Sequence, residues 1–292
     1  MASELRTKFE NYLIVHRKAP KTQQAYLSAV KGIANYFNRP PDQLTSEQIQ
    51  DYLAHLITER KLSWNSCNVA FCALQCFYVK FLKRSSMQVN IPPRPRQRKL
   101  PDIFNKTEVA RLIENAKNLR HRAVLMMVYG SGLRVSEVVK LKAEHIDSQR
   151  MLVRVEQSKG RKDRYTPLSQ KALEVLRLYF RYYHPSTYLF VGKDKKGPLP
   201  IATAQKMYTY AKRKAGLTKG SGIHTLRHCF ATHLLLHGVD IQLIKEFLGH
   251  NHLGTTMVYL HMVPDRIAKV KSPLDEDVEL CREEAFHGKA TH

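Results

Sequence analysis

The stretch SSMQVNIPPRPRQRKLP, residues 85–101, most constrains how this chain folds. Proline fixes its own φ and lacks an amide donor, so no helix or central strand runs through such a segment. With little apolar content around the prolines, it reads as an extended, basic linker. The chain therefore divides into residues 1–84, a linker at 85–101, residues 102–271, and a tail at 272–292 that turns acidic and loses periodicity.

Before the linker, LRTKFENYLIVH, TQQAYLSAVKGIANYF, TSEQIQDYLAHLITER and SWNSCNVAFCALQCFYVKFLKR carry apolar residues three and four apart. That spacing predicts four amphipathic helices, the third opened by a Thr45–Gln48 capping box. After the linker the pattern is mixed. TEVARLIENAK, HRAVLMMVYG, VSEVVKL, SQKALEVLRLYFRYY, ATAQKMYTYAKRKAG, HTLRHCFATHLLLHG, DIQLIKEFLG and TTMVYLH read as helices. MLVRVEQ and RYTPL read as two short strands flanking the polar turn SKGRKD. The expected fold class is mainly α (α+β): a helical bundle, then a mostly helical domain with a small antiparallel sheet.

Lys and Arg total 48 against 25 Asp and Glu, a formal charge of +23. A surplus of this size is a statement about partners, and nucleic acid, whose counterions basic side chains displace, fits best. Apolar runs such as AVLMMVY are too short to span a bilayer, and the charged start MASELRTKFE lacks the apolar core of a secretion signal. Five irregularly spaced cysteines form no disulfide framework, so a cytoplasmic setting is expected. Candidate DNA contacts are Lys21, Gln23, Gln24 and Lys31 near the second helix, Arg94 and Arg96 in the linker, and Arg161, Lys162 and Arg164 around the hairpin.

Five short pieces of the second half carry chemistry together: GSGLRVSE with Arg134, QSKGRKDR with Lys159, HTLRH with His224 and Arg227, FLGHN with His250, and TTMVYLH with Tyr259. Attack on a phosphodiester creates a charge-rich pentacoordinate transition state, which two guanidinium groups can clamp. A tyrosine hydroxyl is a competent nucleophile that forms a covalent phosphoester. The leaving alkoxide needs a proton, which a hairpin lysine can supply, and histidines serve as acid–base groups or phosphate donors. His224 and His228 share the i, i+4 spacing of a zinc pair. HTLRH, however, has arginine where a zinc protease of the HExxH type carries its glutamate.

In order and wording, Arg…Lys…His-x-x-Arg…His…Tyr with GSGLRVSE, HTLRHCFATHLL and LGH resembles the tyrosine recombinase (phage integrase) family. The resemblance covers the chain apart from its tail. It implies a helical core-binding domain and a catalytic domain forming a C-shaped clamp on DNA. It further implies that Tyr259 attacks the scissile phosphate to give a 3′-phosphotyrosyl bond and a free 5′-hydroxyl. Arg134 and Arg227 would stabilise the transition state, Lys159 would protonate the leaving 5′-oxygen, His224 would assist proton transfer, His250 would hydrogen-bond the phosphate, and Glu137 would support the site from behind. Neither ATP, a metal nor another cofactor is implied. The implied partners are paired double-stranded recombination sites carrying a homotetramer, monomeric or weakly associated without DNA, and no membrane. KSPLD soon after YLHM resembles integron integrases, while the short two-domain plan resembles Xer-like recombinases; a mobile-element integrase is the expected role. A type IB topoisomerase would share the chemistry, and a non-enzymatic DNA-binding protein would share the charge.

Overall fold

The computed structural model describes residues 4–84, 89–93, 101–156, 163–192 and 197–262. The chain divides into two compact units, Met1–Arg98 and Lys99–His292.

The first unit consists of α1 (Glu4–Val15), α2 (Pro20–Phe37), α3 (Ser46–Thr58) and α4 (Trp64–Gln75). Their apolar stripes close on one core, with Phe9, Leu13, Ile33, Ile49, Leu53 and Leu74 all buried. Thr45 caps α3: its Oγ1 accepts from the Gln48 amide at 3.2 Å, and Gln48 Oε1 accepts from the Thr45 amide at 3.0 Å. The sequence predicts one α-helix through Arg84, but beyond Gln75 the helix widens into a π-helical segment, Cys76–Phe81. Three consecutive residues, Cys76, Phe77 and Tyr78, are buried there. The wider turn holds all three inward, and Tyr78 Oη donates to the Pro41 carbonyl at 2.6 Å.

The second unit is built round α6 (Leu119–Gly130), whose Val124, Leu125, Met127 and Val128 are buried. Against it pack α5 (Lys106–Glu114), α8 (Gln170–Tyr183), α9 (Ile201–Lys214) and α10 (His224–Leu236). One face carries an antiparallel sheet of β1 (Ile146–Asp147), β2 (Leu152–Val155) and β3 (Arg164–Pro167), in that order. The β2–β3 pairing is the expected hairpin, with Val153 opposite Thr166. β1, only two residues long, shows no alternation that a sequence reading could detect. The hairpin turn, with Lys159, Arg161 and Lys162, lies outside the described residues, as do Arg94, Arg96 and the tail.

Three short elements complete the unit: α7 (Val135–Val138), α11 (Ile241–Leu248) and α12 (Leu253–Met257). α11 packs on β3, and a small satellite core of Phe230, Leu235, Ile244, Leu248 and Tyr259 ties α10, α11 and the segment after α12 together. The expected helix TTMVYLH is split: α12 ends at Met257 and a single 3₁₀ turn covers Leu260–Met262, leaving Tyr259 at the joint.

Gly132 connects this architecture to the chemistry. Its φ is +60°, and a Cβ there would lie 2.4 Å from the Phe230 ring. The GSG break is therefore a close approach of backbone to aromatic ring, set two residues before Arg134. Gly132→Ala is expected to destabilise the second unit by about 1–3 kcal/mol through overpacking and left-handed strain, measured as a lower denaturant midpoint by tryptophan-independent far-UV circular dichroism.

Candidate active site

α11 ends in a left-handed glycine, Gly249, with φ 59° and ψ 50°. Helix C-termini leave carbonyls without intrahelical donors. Here three successive ones are taken by three arginines from different parts of the unit. Arg164 Nε donates to the Phe247 carbonyl at 2.8 Å, Arg227 Nη2 to the Leu248 carbonyl at 2.6 Å, and Arg134 Nη2 to the Gly249 carbonyl at 3.0 Å. Arg227 also donates to the Gly132 carbonyl at 2.6 Å. The positive side chains thus converge on one point, where the negative end of the α11 dipole favours them.

A single carboxylate lies among them. Glu137, three residues after Arg134 in α7, accepts from the Arg134 amide and from its Nη1, both at 2.8 Å. Arg164 grips the same carboxylate through both terminal nitrogens, at 2.9 and 2.7 Å. Arg227 Nη1 lies 3.8 Å from it. Burial alone would raise the Glu137 pKa, but the hydrogen bonds and charge of Arg164, then Arg134, outweigh it and hold the carboxyl at about 2. Arg227, 4% exposed, is pushed the other way: burial and the like charge of Arg134 lower it to about 9. Arg134 keeps 21% of its side chain exposed and is the most accessible of the three arginines.

The histidines sit around this cluster. His250, one residue past the glycine cap, places Nε2 3.3 Å from Arg227 Nη2 and Nδ1 2.9 Å from Thr256 Oγ1. Burial and the charges of Arg227 and Arg134 lower its pKa to about 4. His224 is the first residue of α10 and is exposed, with desolvation by its surroundings and then Arg227 lowering its pKa. Tyr259 is 4% exposed; burial raises its hydroxyl pKa, and Arg227 and Arg134 oppose the rise. Its Oη lies 2.9 Å from His228 Nδ1.

The structure brings Arg134, Glu137, Arg227, His250 and Tyr259 into one neighbourhood, with His224 at its edge. Lys159 falls outside the described residues. Arg164, expected on a phosphate, instead has its guanidinium on Glu137 and the Phe247 carbonyl with 8% of the side chain exposed. In the first unit, Lys21, Gln24 and Lys31 are exposed, whereas Gln23 donates to the Lys18 carbonyl at 2.7 Å. The remaining members of IHTLRHCFATH have other partners. Cys229 Sγ accepts from the Phe104 amide at 3.2 Å, and His233 Nδ1 lies 2.9 Å from Tyr129 Oη. Among the described residues no group of three or more His, Cys, Asp or Glu is placed to hold a metal, and no helix is long and apolar enough to cross a membrane. The sequence reading weighed His228 as half of a zinc-spaced pair; the fold reveals that the tyrosine 31 positions later returns to it.

Residues 102–266 match the phage integrase family, and residues 5–88 match the phage integrase N-terminal SAM-like domain. An integrase/recombinase-like protein of Sinorhizobium fredii is 39% identical over 93% of this chain and 88% of its own length. The tyrosine recombinase XerA of Thermococcus kodakarensis is 32% identical over 92% of this chain and 94% of its own. A crystal structure of XerA recombinase superposes with a TM-score of 0.54 at 28% identity, covering 93% of this chain and all of that one. A XerH recombinase structure, at 22% identity and a TM-score of 0.68, shares the fold over 87% of this chain and 80% of that one. The chain belongs to the phage integrase family of tyrosine recombinases.

A carboxylate held at about 2 contributes stability that is present above its ordinary pKa of 4.5 and is lost as pH falls towards 2. Glu137→Gln removes that charge from beside three arginines and is expected to cost about 3 kcal/mol at neutral pH. Denaturant unfolding at a series of pH values should show the wild-type stability falling below about pH 4.5, with this slope flattened in the variant.

Proposed function

We propose that this chain is a site-specific DNA recombinase that cleaves and rejoins strands through a 3′-phosphotyrosyl intermediate, in the cytoplasm and in the service of a mobile element. The observation that carries the reading is the convergence of Arg134 and Arg227 on the end of α11 with Tyr259 close enough to feel both charges. A scissile phosphate seated against Arg134, Arg227 and His250 exchanges its hydration for fixed donors. Tyr259 attacks phosphorus, the P–O5′ bond breaks, and Lys159 protonates the departing 5′-oxygen. The 5′-hydroxyl of a partner duplex then reverses the step. One phosphodiester replaces another, so the exchange requires no nucleotide triphosphate.

Exchange of two duplexes needs four strand cleavages and one tyrosine for each, so the working assembly is four protomers on two paired sites. The core-binding role falls to residues 1–84 and the catalytic role to 102–271. In the first unit, Gln24, Ser28, Lys31 and Asn35 recur along one face of α2 and line an open cleft of about 680 Å³ together with Arg6. Those amide and ammonium groups suit base edges and phosphates, whereas Gln23 is already engaged.

Covalent cleavage mapped on the native flanks of the gene supplies the site for a nicked suicide duplex. Wild-type protein should form an adduct that survives denaturing electrophoresis and persists in excess EDTA. Tyr259→Phe should bind the duplex and form none, and Arg227→Ala should slow adduct formation by about a hundredfold or more. Relaxation of plasmid DNA without recombinant products would instead indicate a type IB topoisomerase activity, and absence of any adduct on the mapped flanks would leave a DNA-binding protein alone.

Replacing Gln24 and Lys31 together with alanine should weaken site binding, with the lysine removing about one unit from the salt dependence of log K. Electrophoretic mobility shift at several salt concentrations measures both effects.

A further inference from the structure

Tyrosine is a weak nucleophile until its proton leaves; among the described residues no hydrogen bond joins the hydroxyl to His224, the exposed first residue of α10 that the resemblance makes a proton-transfer group, and neither Glu137 nor His250 readily takes the proton. Glu137 is bound to two arginines and held at about 2. His250 has both ring nitrogens in use, on Arg227 and Thr256. The Tyr259 hydroxyl itself points to one imidazole: Oη lies 2.9 Å from His228 Nδ1, and the two rings stand 5.8 Å apart between centroids.

We propose that His228 is the acceptor of the Tyr259 proton during strand cleavage, a role that rests on the recombinase reading. In the resting protein Oη donates to Nδ1 of a neutral ring protonated on Nε2. As the Oη lone pair forms the bond to phosphorus, the phenolic proton passes to Nδ1, the P–O5′ bond breaks, and O5′ takes a proton from the Lys159 ammonium. In rejoining, Nδ1–H returns the proton to the departing phenolate oxygen.

The surroundings make this transfer depend on substrate. His228 is faced by His224 and Arg227 from its own helix, by Tyr259 from the segment after α12, and by His250 from beyond α11. Burial, then His224 and Arg227, hold its pKa at about 4, so the ring is neutral and free to accept. The same positive field opposes an imidazolium, so with no phosphate bound the proton stays on the tyrosine. A phosphate seated between the arginines cancels part of that field at His228 and adds negative charge in the transition state. Nucleophile activation thereby follows occupancy of the site.

The test uses the full chain and a nicked duplex carrying the mapped cleavage site, in single turnover. His228→Asn places an amide atom where Nδ1 lies, keeping a hydrogen bond to Tyr259 while removing the base. Its cleavage rate should fall by about a hundredfold at neutral pH, and the deficit should narrow as pH rises and hydroxide replaces the imidazole. The deficit should be the same on a duplex with a bridging 5′-sulfur leaving group, which needs no acid, whereas Lys159→Ala should be restored by that sulfur. His228→Asn cleaving within about twofold of wild type, or a deficit unchanged by pH, would overturn the proposal. A deficit abolished by the sulfur would place His228 on the leaving-group side and overturn it equally. Nitrogen-15 histidine spectra of the free wild-type protein give a reading independent of any variant's folding: Nδ1 should be unprotonated and Nε2 protonated, and the opposite tautomer would sink the assignment. Wild-type protein that forms no adduct defeats the recombinase reading; an adduct insensitive to His228→Asn defeats only this inference.

Discussion

Three arginines held together without compensation would repel one another, and the Glu137 carboxylate is what permits their assembly. It takes both terminal nitrogens of Arg164 and both the amide and guanidinium of Arg134, and lies 3.8 Å from Arg227. One negative charge against three positive ones leaves a surplus in a mostly buried place. A phosphodiester brings one negative charge, and its pentacoordinate transition state brings more. A field left positive before substrate arrives is worth most where charge develops, which is the condition for accelerating the step rather than merely binding the ground state.

Glu137 alone does not fix where the guanidiniums point. The end of α11 does, because the carbonyls of Phe247, Leu248 and Gly249 each receive an arginine. These are the groups a helix leaves unsatisfied, so the arginines serve as caps while they serve the site. The left-handed Gly249 turns the chain just beyond them and sets His250 beside Arg227. Packing of α11 on β3 therefore aligns the carbonyls, Arg164 and His250 in one operation. A site assembled from β3, α7, α10 and α11 holds together because one helix terminus is the common acceptor.

Much of this is legible in the residues, and the limits are physical. Arg134, Arg227, His250 and Tyr259 stand out because their side chains share a chemistry that few arrangements need, and the Gly249 cap is written in FLGH. The four N-terminal helices follow from apolar spacing. The π-helical widening after Gln75 does not, since Cys-Phe-Tyr reads equally well as a continuing α-helix until three neighbouring residues are seen buried. Arg164 looks like a phosphate ligand because it ends a basic turn; that its side chain turns inward to Glu137 depends on a contact across 27 positions. His228 is lost for the same reason: on a helix it sits one position round from Arg227, and nothing in the local pattern shows that Tyr259 comes back to meet it.

The tyrosine is the least conspicuous residue of the set and the most constrained. It lies between α12 and a 3₁₀ turn, 4% exposed, in a satellite core with Phe230, Leu235, Ile244 and Leu248. Burial makes its ionisation harder, and Arg227 and Arg134 make it easier. A phenol freed of that burial would ionise more readily, and one fully stabilised as phenolate would be a good leaving group but a poor attacking one. Burial outweighs the two arginines, so the resting hydroxyl stays protonated, and in the proposed reaction its ester remains reversible. For strand exchange that reversibility matters as much as speed, because the phosphotyrosyl bond has to be formed and then surrendered to a different 5′-hydroxyl with no external energy to drive either step.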